Sequence, residues 1–185
     1  NNLRHKKFNF AEIGIEKNGS SKLWREFFSN ADLHLFEKDT KKIEQAKKDQ
    51  LNDTYYYEID VNIQENIRSA FQKTGKNFDI IIDDARHTPE ANALTFKSII
   101  PFLKPNGIYY IEDVWPLDEM TKSDLNNLGF DVTKQTKWMQ KYRKGEFTEN
   151  KWKMFIDTLK GYKIEKFDNR KKCKLLDSYI YKITK

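Results

Sequence analysis

Cysteine is all but missing from this chain: Cys173 stands alone among 185 residues. A single thiol excludes an internal disulfide and a multi-cysteine zinc site, and it suits a reducing compartment such as the cytoplasm. Long apolar runs are missing as well. The longest, Ile108–Ile111, has four residues, which excludes a transmembrane helix and a signal-peptide core, so no membrane partner is expected. No internal repeat or low-complexity tract breaks the chain. Its first glycine-bearing loop lacks the G-x-G-x-x-G spacing, and nothing offers a hydride acceptor, which sets a nicotinamide dehydrogenase aside.

What remains is globular. At 22.2 kDa, with 38% hydrophobic residues, the chain can bury one sizeable core, and residues 1–185 read as a single domain. The formal charge of +6 is unevenly placed: residues 1–133 carry net −4, residues 134–172 net +8 and the last thirteen +2. A lysine-rich solvated face explains the basic third better than a polyanion site does. Nucleic acid is therefore kept as a second reading of the partner, behind a small molecule.

Short apolar runs alternate with helical patterns, the mark of an α/β protein with a mostly parallel sheet. Strands are expected at Phe10–Ile15, Leu33–Phe36, Tyr55–Ile59, Phe78–Ile82 and Ile108–Ile111. Helices are expected at Ser20–Phe28, at the polar stretch Thr40–Asp49, and on the stripe Ile63, Ile67, Ala70. Thr88-Pro89-Glu90 is a well-formed helix start. Lys104-Pro105-Asn106-Gly107 reads as a turn. One more helix follows on Trp152, Phe155, Ile156 and Leu159, and Tyr162–Phe167 with Ser178–Ile183 close the chain as two strands. Residues 115–148 show little period and are the candidate substrate lid or insertion, with Trp115, Trp138 and Tyr142 either lining it or packing in the core.

Open α/β sheets bind ligands at the carboxyl ends of their strands. After the first strand come Glu12, Gly14, Asn18, Gly19 and Ser20, a loop in which glycines allow close approach of the backbone and Ser20 can cap the next helix. Glu37 follows the second strand, placed to accept from two ribose hydroxyls, and Asp60-Val61 follows the third, placed to grip an adenine. The strongest signal follows the fourth and fifth strands. Asp83-Asp84-Ala85-Arg86-His87 and Glu112-Asp113 bring up to four carboxylates and an imidazole together. Such a cluster repels itself unless a hard cation such as Mg²⁺ joins it, and His87 could serve as a general base.

Taken with FDIIIDDARH, FLKPNGIYYIEDVW and FDNRKKCKLLDSYIYKI, the run FAEIGIEKNGSSKLWREFFSNADLHLFEKD resembles the class I S-adenosylmethionine-dependent methyltransferases. Within them it is similar to the metal-dependent sugar O-methyltransferases of macrolides such as mycinamicin and tylosin. The resemblance covers roughly residues 8–115 and the closing strands. It implies a Rossmann-like three-layer sandwich with a mostly parallel seven-stranded sheet and an antiparallel closing strand. It implies that Glu12, Gly14, Gly19, Ser20, Glu37, Asp60, Val61 and Asp83 hold S-adenosylmethionine, that Asp84, Glu112 and Asp113 hold Mg²⁺, and that His87 is the catalytic base. Two positions depart from the family pattern: Asn18 stands in place of a loop glycine, and Ala85-Arg86 in place of Gly-Ser or Ala-Ser.

The expected activity is transfer of a methyl group to a hydroxyl of a small acceptor, a sugar or diol. Two alternatives stay open: a nucleic-acid or cap methyltransferase using the basic third, and a non-catalytic binding module of the same fold. Whether the chain forms a homo-oligomer is also left open.

Overall fold

The computed structural model describes residues 3–131, 133–134, 137 and 144–185. Seven strands form one sheet: β1 (Asn9–Ile13), β2 (Asp32–Glu37), β3 (Thr54–Glu58), β4 (Phe78–Asp83), β5 (Leu103–Ile111), β6 (Lys163–Asp168) and β7 (Tyr179–Thr184). The order is β3-β2-β1-β4-β5-β7-β6. Pairings from β3 through β5 are parallel, and β7 lies antiparallel between β5 and β6. Among the described residues the α-helices are α1 (Gly19–Phe27), α2 (Thr40–Lys47), α3 (Gln64–Thr74), α4 (Pro89–Ile99), α5 (Lys122–Asn127), α6 (Glu149–Thr158) and α7 (Arg170–Cys173). None of the helices among the described residues is long and apolar enough to cross a membrane.

Each face of the sheet carries its own apolar layer. Phe36, Phe71, Phe78, Phe96, Tyr109, Phe155 and Tyr181 are buried on one side. On the other, Phe10, Leu33, Leu35, Ile80 and Ile82 pack with Phe28 and Trp24. Burial on both faces is why β4 reads as a continuous apolar run rather than an alternating one. Thr88 caps α4 as expected, its hydroxyl accepting from the Ala91 amide, with Pro89 in the first turn. Asp39 caps α2, and Ile43 and Ala46 bury one side of that otherwise polar helix.

Two expectations are corrected. Lys104–Gly107 is not a turn between elements but an irregularity inside β5. Leu103 pairs with Phe78 and Ile108 with Ile80, so the extra residues are accommodated within the strand. Asn106 adopts φ 61° and Gly107 accepts from the Lys185 amide. Ser20 does not cap α1. Asn18, in the left-handed region, precedes the helix and makes no side-chain cap bond.

In β2, His34 is 2% exposed and stacked between Tyr55 and Tyr57 at 5.0 and 5.7 Å, with Phe78 edge-on at 5.3 Å. Its Nδ1 lies 3.1 Å from the Tyr57 hydroxyl, while Nε2 is buried without a partner. Burial lowers the imidazole pKa to about 4. The unfolded chain takes up this proton below about pH 6.5, whereas the native state resists it until about 4. The His34 contribution to native stability should therefore fall as pH drops through that window. Urea midpoints measured from pH 7 to pH 4 should show His34→Phe gaining on the native sequence as pH falls.

Candidate active site

Strand register brings the site together. Ile13 pairs with Asp83, and Asp83 with Ile111, so the next residues, Gly14, Asp84 and Glu112, emerge side by side at the carboxyl edge. The Asp84 amide donates to the Ile13 carbonyl at 2.9 Å and the Glu112 amide to Asp83 at 3.0 Å. Strand order reverses at this point, with β2 and β3 on one side of β1 and β4 and β5 on the other, which is where doubly wound sheets open a crevice.

Gly14 has φ +89°, and a Cβ built on it would overlap the carbonyl of Asp84. The close approach anticipated for this glycine is therefore first an approach to its own neighbouring strand. Gly14→Ala combines a forbidden backbone conformation with a backbone overlap, and should cost about 3 kcal/mol or more. Chemical denaturation of the purified variant measures this directly.

The crevice is a cavity of about 430 Å³, within the range of small-ligand sites. Gly14, at the tip of β1, stands between Glu37, Lys38, Val61 and Asn62 on the β2–β3 side and Asp84, Ala85, Arg86, His87 and Asp113 on the β4–β5 side. A neighbouring recess of about 260 Å³, reaching Thr88 and Leu94, shares Val61, Asn62 and Arg86 with it. Glu37 is buried, and its carboxylate collects four backbone amides: Lys38 at 2.8 Å and Asp39 at 3.0 Å on one oxygen, Ile15 and Glu16 at 3.3 Å on the other. It thereby ties the loop after β1 to the tip of β2.

At the other end the acids repel one another. Burial raises the Asp84 carboxyl to about 8, helped by the charges of Glu112, Asp113, Glu12 and Asp83. Burial, then Asp113 and Glu12, raises Glu112, and burial raises Asp113. His87 has φ 54° and Asp113 φ 49°, left-handed turns that swing their side chains toward Asp84. His87 Nε2 lies 3.7 Å from Asp84 Oδ1, and Nδ1 lies 3.3 Å from the Glu112 carbonyl oxygen. Ligand atoms of Asp84, His87 and Asp113 all fall within 4.8 Å of one another. This donor set fits a divalent cation.

Several residues singled out from the sequence stand elsewhere. Glu12 is buried, bonded by the Ser21 hydroxyl at 3.0 Å and the Trp24 indole at 2.9 Å, and does not line the cavity. Gly19 and Ser20 begin α1 outside it. Asp60 stands just behind the lining, its carboxyl held at about 2 by two residues that do line the cavity, Lys38 at 2.8 Å and the Asn62 amide. Asp83 lies beneath the site and is fully buried, which raises it to about 6 while the Tyr109 hydroxyl donates to it at 2.9 Å. Glu112, expected among the metal ligands, is outside the trio. Its charge is nonetheless the first of the four carboxylates that raise Asp84, so it stands close to the site.

Sequence reading passed over Asn62 and Lys38, although each directly follows a residue it had chosen. Arg86 was noticed, but not its partner: Glu146, sixty positions on, lies 2.9 Å from the guanidinium at the cavity rim. Trp115 is buried against Phe147, Leu125 and Leu176, so it packs rather than lines the cavity. Trp138 and Tyr142 fall outside the described residues. Arg170, 3% exposed, grips Asp168 through two hydrogen bonds and reaches the Glu119 carbonyl at 3.2 Å, fastening the segment after Trp115 to β6 and β7.

A family model described as a methyltransferase domain matches residues 18–168. The chain is 28% identical over 120 residues to 8-demethyl-8-(2-methoxy-alpha-L-rhamnosyl)-tetracenomycin-C 3'-O-methyltransferase of Streptomyces olivaceus, covering 61% of this chain and 29% of that protein. It is 26% identical over 119 residues to demethylmacrocin O-methyltransferase of Streptomyces fradiae, covering 60% and 29%. The match thus spans under a third of those relatives' length. Among solved structures, MycE methyltransferase from the mycinamycin biosynthetic pathway, in complex with Mg and SAH, superposes with a TM-score of 0.59. That likeness covers 98% of this chain and 46% of MycE at 18% identity, and it shows the shared fold alone.

Proposed function

This chain belongs to the methyltransferase-domain family, and on that premise we propose that it moves the methyl group of S-adenosylmethionine to a hydroxyl of a small polar acceptor, a sugar or diol. The observation that carries the reading is one cavity shared by Glu37 and Val61 on the β2–β3 side of Gly14 and by Asp84, His87 and Asp113 on the β4–β5 side. Glu37 Oε2, held only by two 3.3 Å amide contacts, is the oxygen free enough to take a ribose hydroxyl. Val61 and Asn62 offer an apolar contact and an amide for the base. The named substrates of the two curated relatives, a rhamnosyl-tetracenomycin and demethylmacrocin, support a small glycosylated acceptor.

Asp84 and Asp113, with a third donor, would hold a divalent cation, Mg²⁺ in the reading drawn from the sequence. Such an ion supplies Lewis-acid lowering of a bound hydroxyl's pKa. The residues themselves orient the acceptor and keep it at the end of the cavity opposite Glu37, so catalysis rests largely on positioning. Of the candidate lid, residues 115–148, Glu146 stands on the acceptor side in this proposal, supported by the Arg86–Glu146 pair at the rim. Basic side chains of the last third are partly engaged: Lys151 with Glu90, Lys160 with Asp157 and Lys166 with Glu119. This favours a solvated face over a nucleic-acid track.

The test is label transfer from methyl-tritiated S-adenosylmethionine to a panel of rhamnosides, deoxysugars, catechol and short RNA, with divalent ion or with EDTA. Labelling of a hydroxylated small molecule, reduced by EDTA, is expected. Labelling of RNA alone would support the rival substrate, and an unlabelled panel despite cofactor binding would support a non-catalytic module.

A further inference from the structure

Resting on the cofactor reading above, we infer that the recess beside the cavity is a subsite for a substituent on the cofactor's base. The chain then accepts S-adenosylmethionine-type ligands that carry an aromatic group on the exocyclic amine of the adenine.

The recess, of about 260 Å³, shares Val61, Asn62 and Arg86 with the cavity. These three form the threshold between the two spaces, and two of them are the residues offered to the base. Asn62 sets the orientation. Its side-chain Nδ2 donates to Asp60 Oδ1 at 2.7 Å, and its backbone amide donates to the same oxygen at 2.9 Å. A carboxylate only accepts, so the amide nitrogen is committed there and Oδ1 is the end left to accept from a base. On adenine the donor is the exocyclic amine. One of its two hydrogens goes to Asn62, and the other position opens toward the space that Asn62 shares.

The chemistry of the recess selects the substituent. Its apolar lining is Val61, Ala91 and Leu94, and the Thr88 hydroxyl is already engaged, accepting from the Ala91 amide at 3.3 Å. Its charges are paired, Arg86 with Glu146 at 2.9 Å and Glu90 with Lys151 at 2.6 Å. A charged group would have to displace one of these partners before it was satisfied, whereas an aromatic ring meets apolar contacts and the face of a guanidinium. Size agrees, since a cavity of about 150 Å³ suffices for a benzene ring. The two ion pairs also tie the start of α4 to the stretch entering α6, so the walls are fastened at two points.

The experiment titrates two ligands calorimetrically into the purified chain: S-adenosylhomocysteine and its derivative benzylated on the adenine amine. The native sequence should bind the derivative within about 5-fold of the parent. Leu94→Trp, which fills the recess, should bind the derivative ~20-fold or more weakly while the parent changes less than about 3-fold. A derivative weaker than the parent by more than about 5-fold on the native chain would overturn the inference and leave the cofactor reading standing; that comparison needs no variant. A folded Leu94→Trp that weakens both ligands alike would also overturn it, because the base itself would then occupy the recess. One that binds both as the native chain does would place the substituent elsewhere, with the same consequence. Binding of neither ligand to the folded native chain would remove the cofactor reading, and the inference with it.

Discussion

Asp84→Asn should make the metal-free protein more stable at pH 8, although it removes a residue assigned to the site. Burial first, and then four neighbouring carboxylates, raise the Asp84 carboxyl to about 8, against about 3.9 in an unfolded chain. The native state therefore holds a proton that the unfolded state releases. This contribution is fully present below about pH 4 and is lost as pH rises toward 8. Asparagine keeps the shape and removes the charge. The side chain is 35% exposed, so screening trims the effect to about 1–2 kcal/mol, roughly 3–8 °C for a domain of this size. Thermal melts in EDTA at pH 5 and pH 8 check this: the two proteins should separate at the higher pH and converge at the lower. Adding a divalent ion at pH 8 should stabilise the native sequence and leave Asp84→Asn nearly unmoved.

Glu37→Ala should weaken S-adenosylhomocysteine binding by about 100-fold or more. Two hydrogen bonds from ribose hydroxyls to a carboxylate amount to about 3 kcal/mol or more. The loss has a structural share, because the same carboxylate gathers the amides of Ile15, Glu16, Lys38 and Asp39. Glu37→Gln separates the two shares. It keeps an acceptor for the close pair of amides at Lys38 and Asp39 but turns an amide donor toward the other pair, so folding should suffer less than in Glu37→Ala. Calorimetric titration beside urea denaturation of both variants resolves this; full affinity in a folded Glu37→Ala would remove Glu37 from the cofactor site.

Most of the fold was legible because its signals are local. The apolar run of β4 and the Thr88-Pro89 start of α4 each placed an element to within a residue or two, whereas the α3 stripe located the helix but took in Ile63, which precedes it and is exposed. Lys104–Gly107 misled because proline, asparagine and glycine serve a bulge inside a strand as well as a turn between strands. At the site, the chemistry-bearing segments were legible from their places after strands, but side-chain direction was not. Asp60 and Val61 are adjacent, yet only Val61 lines the cavity itself, while Asp60 is reached through Lys38 and Asn62. Glu112 and Asp113 are adjacent too, yet only Asp113 joins the trio of converging donors, while Glu112 acts on Asp84 through its charge. Gly14 carries a second demand that the sequence hides, since a clash with the neighbouring backbone of Asp84 can be seen only once β1 and β4 are paired.

The measurement that bears most directly on the central claim is calorimetric titration of S-adenosylhomocysteine into the purified chain, with and without divalent ion. The account predicts micromolar binding that persists in EDTA, because Glu37, Val61 and Asn62 lie at the end of the cavity away from the acids. An absence of binding at millimolar ligand, from protein shown to be folded, would contradict it and leave the cavity without a cofactor.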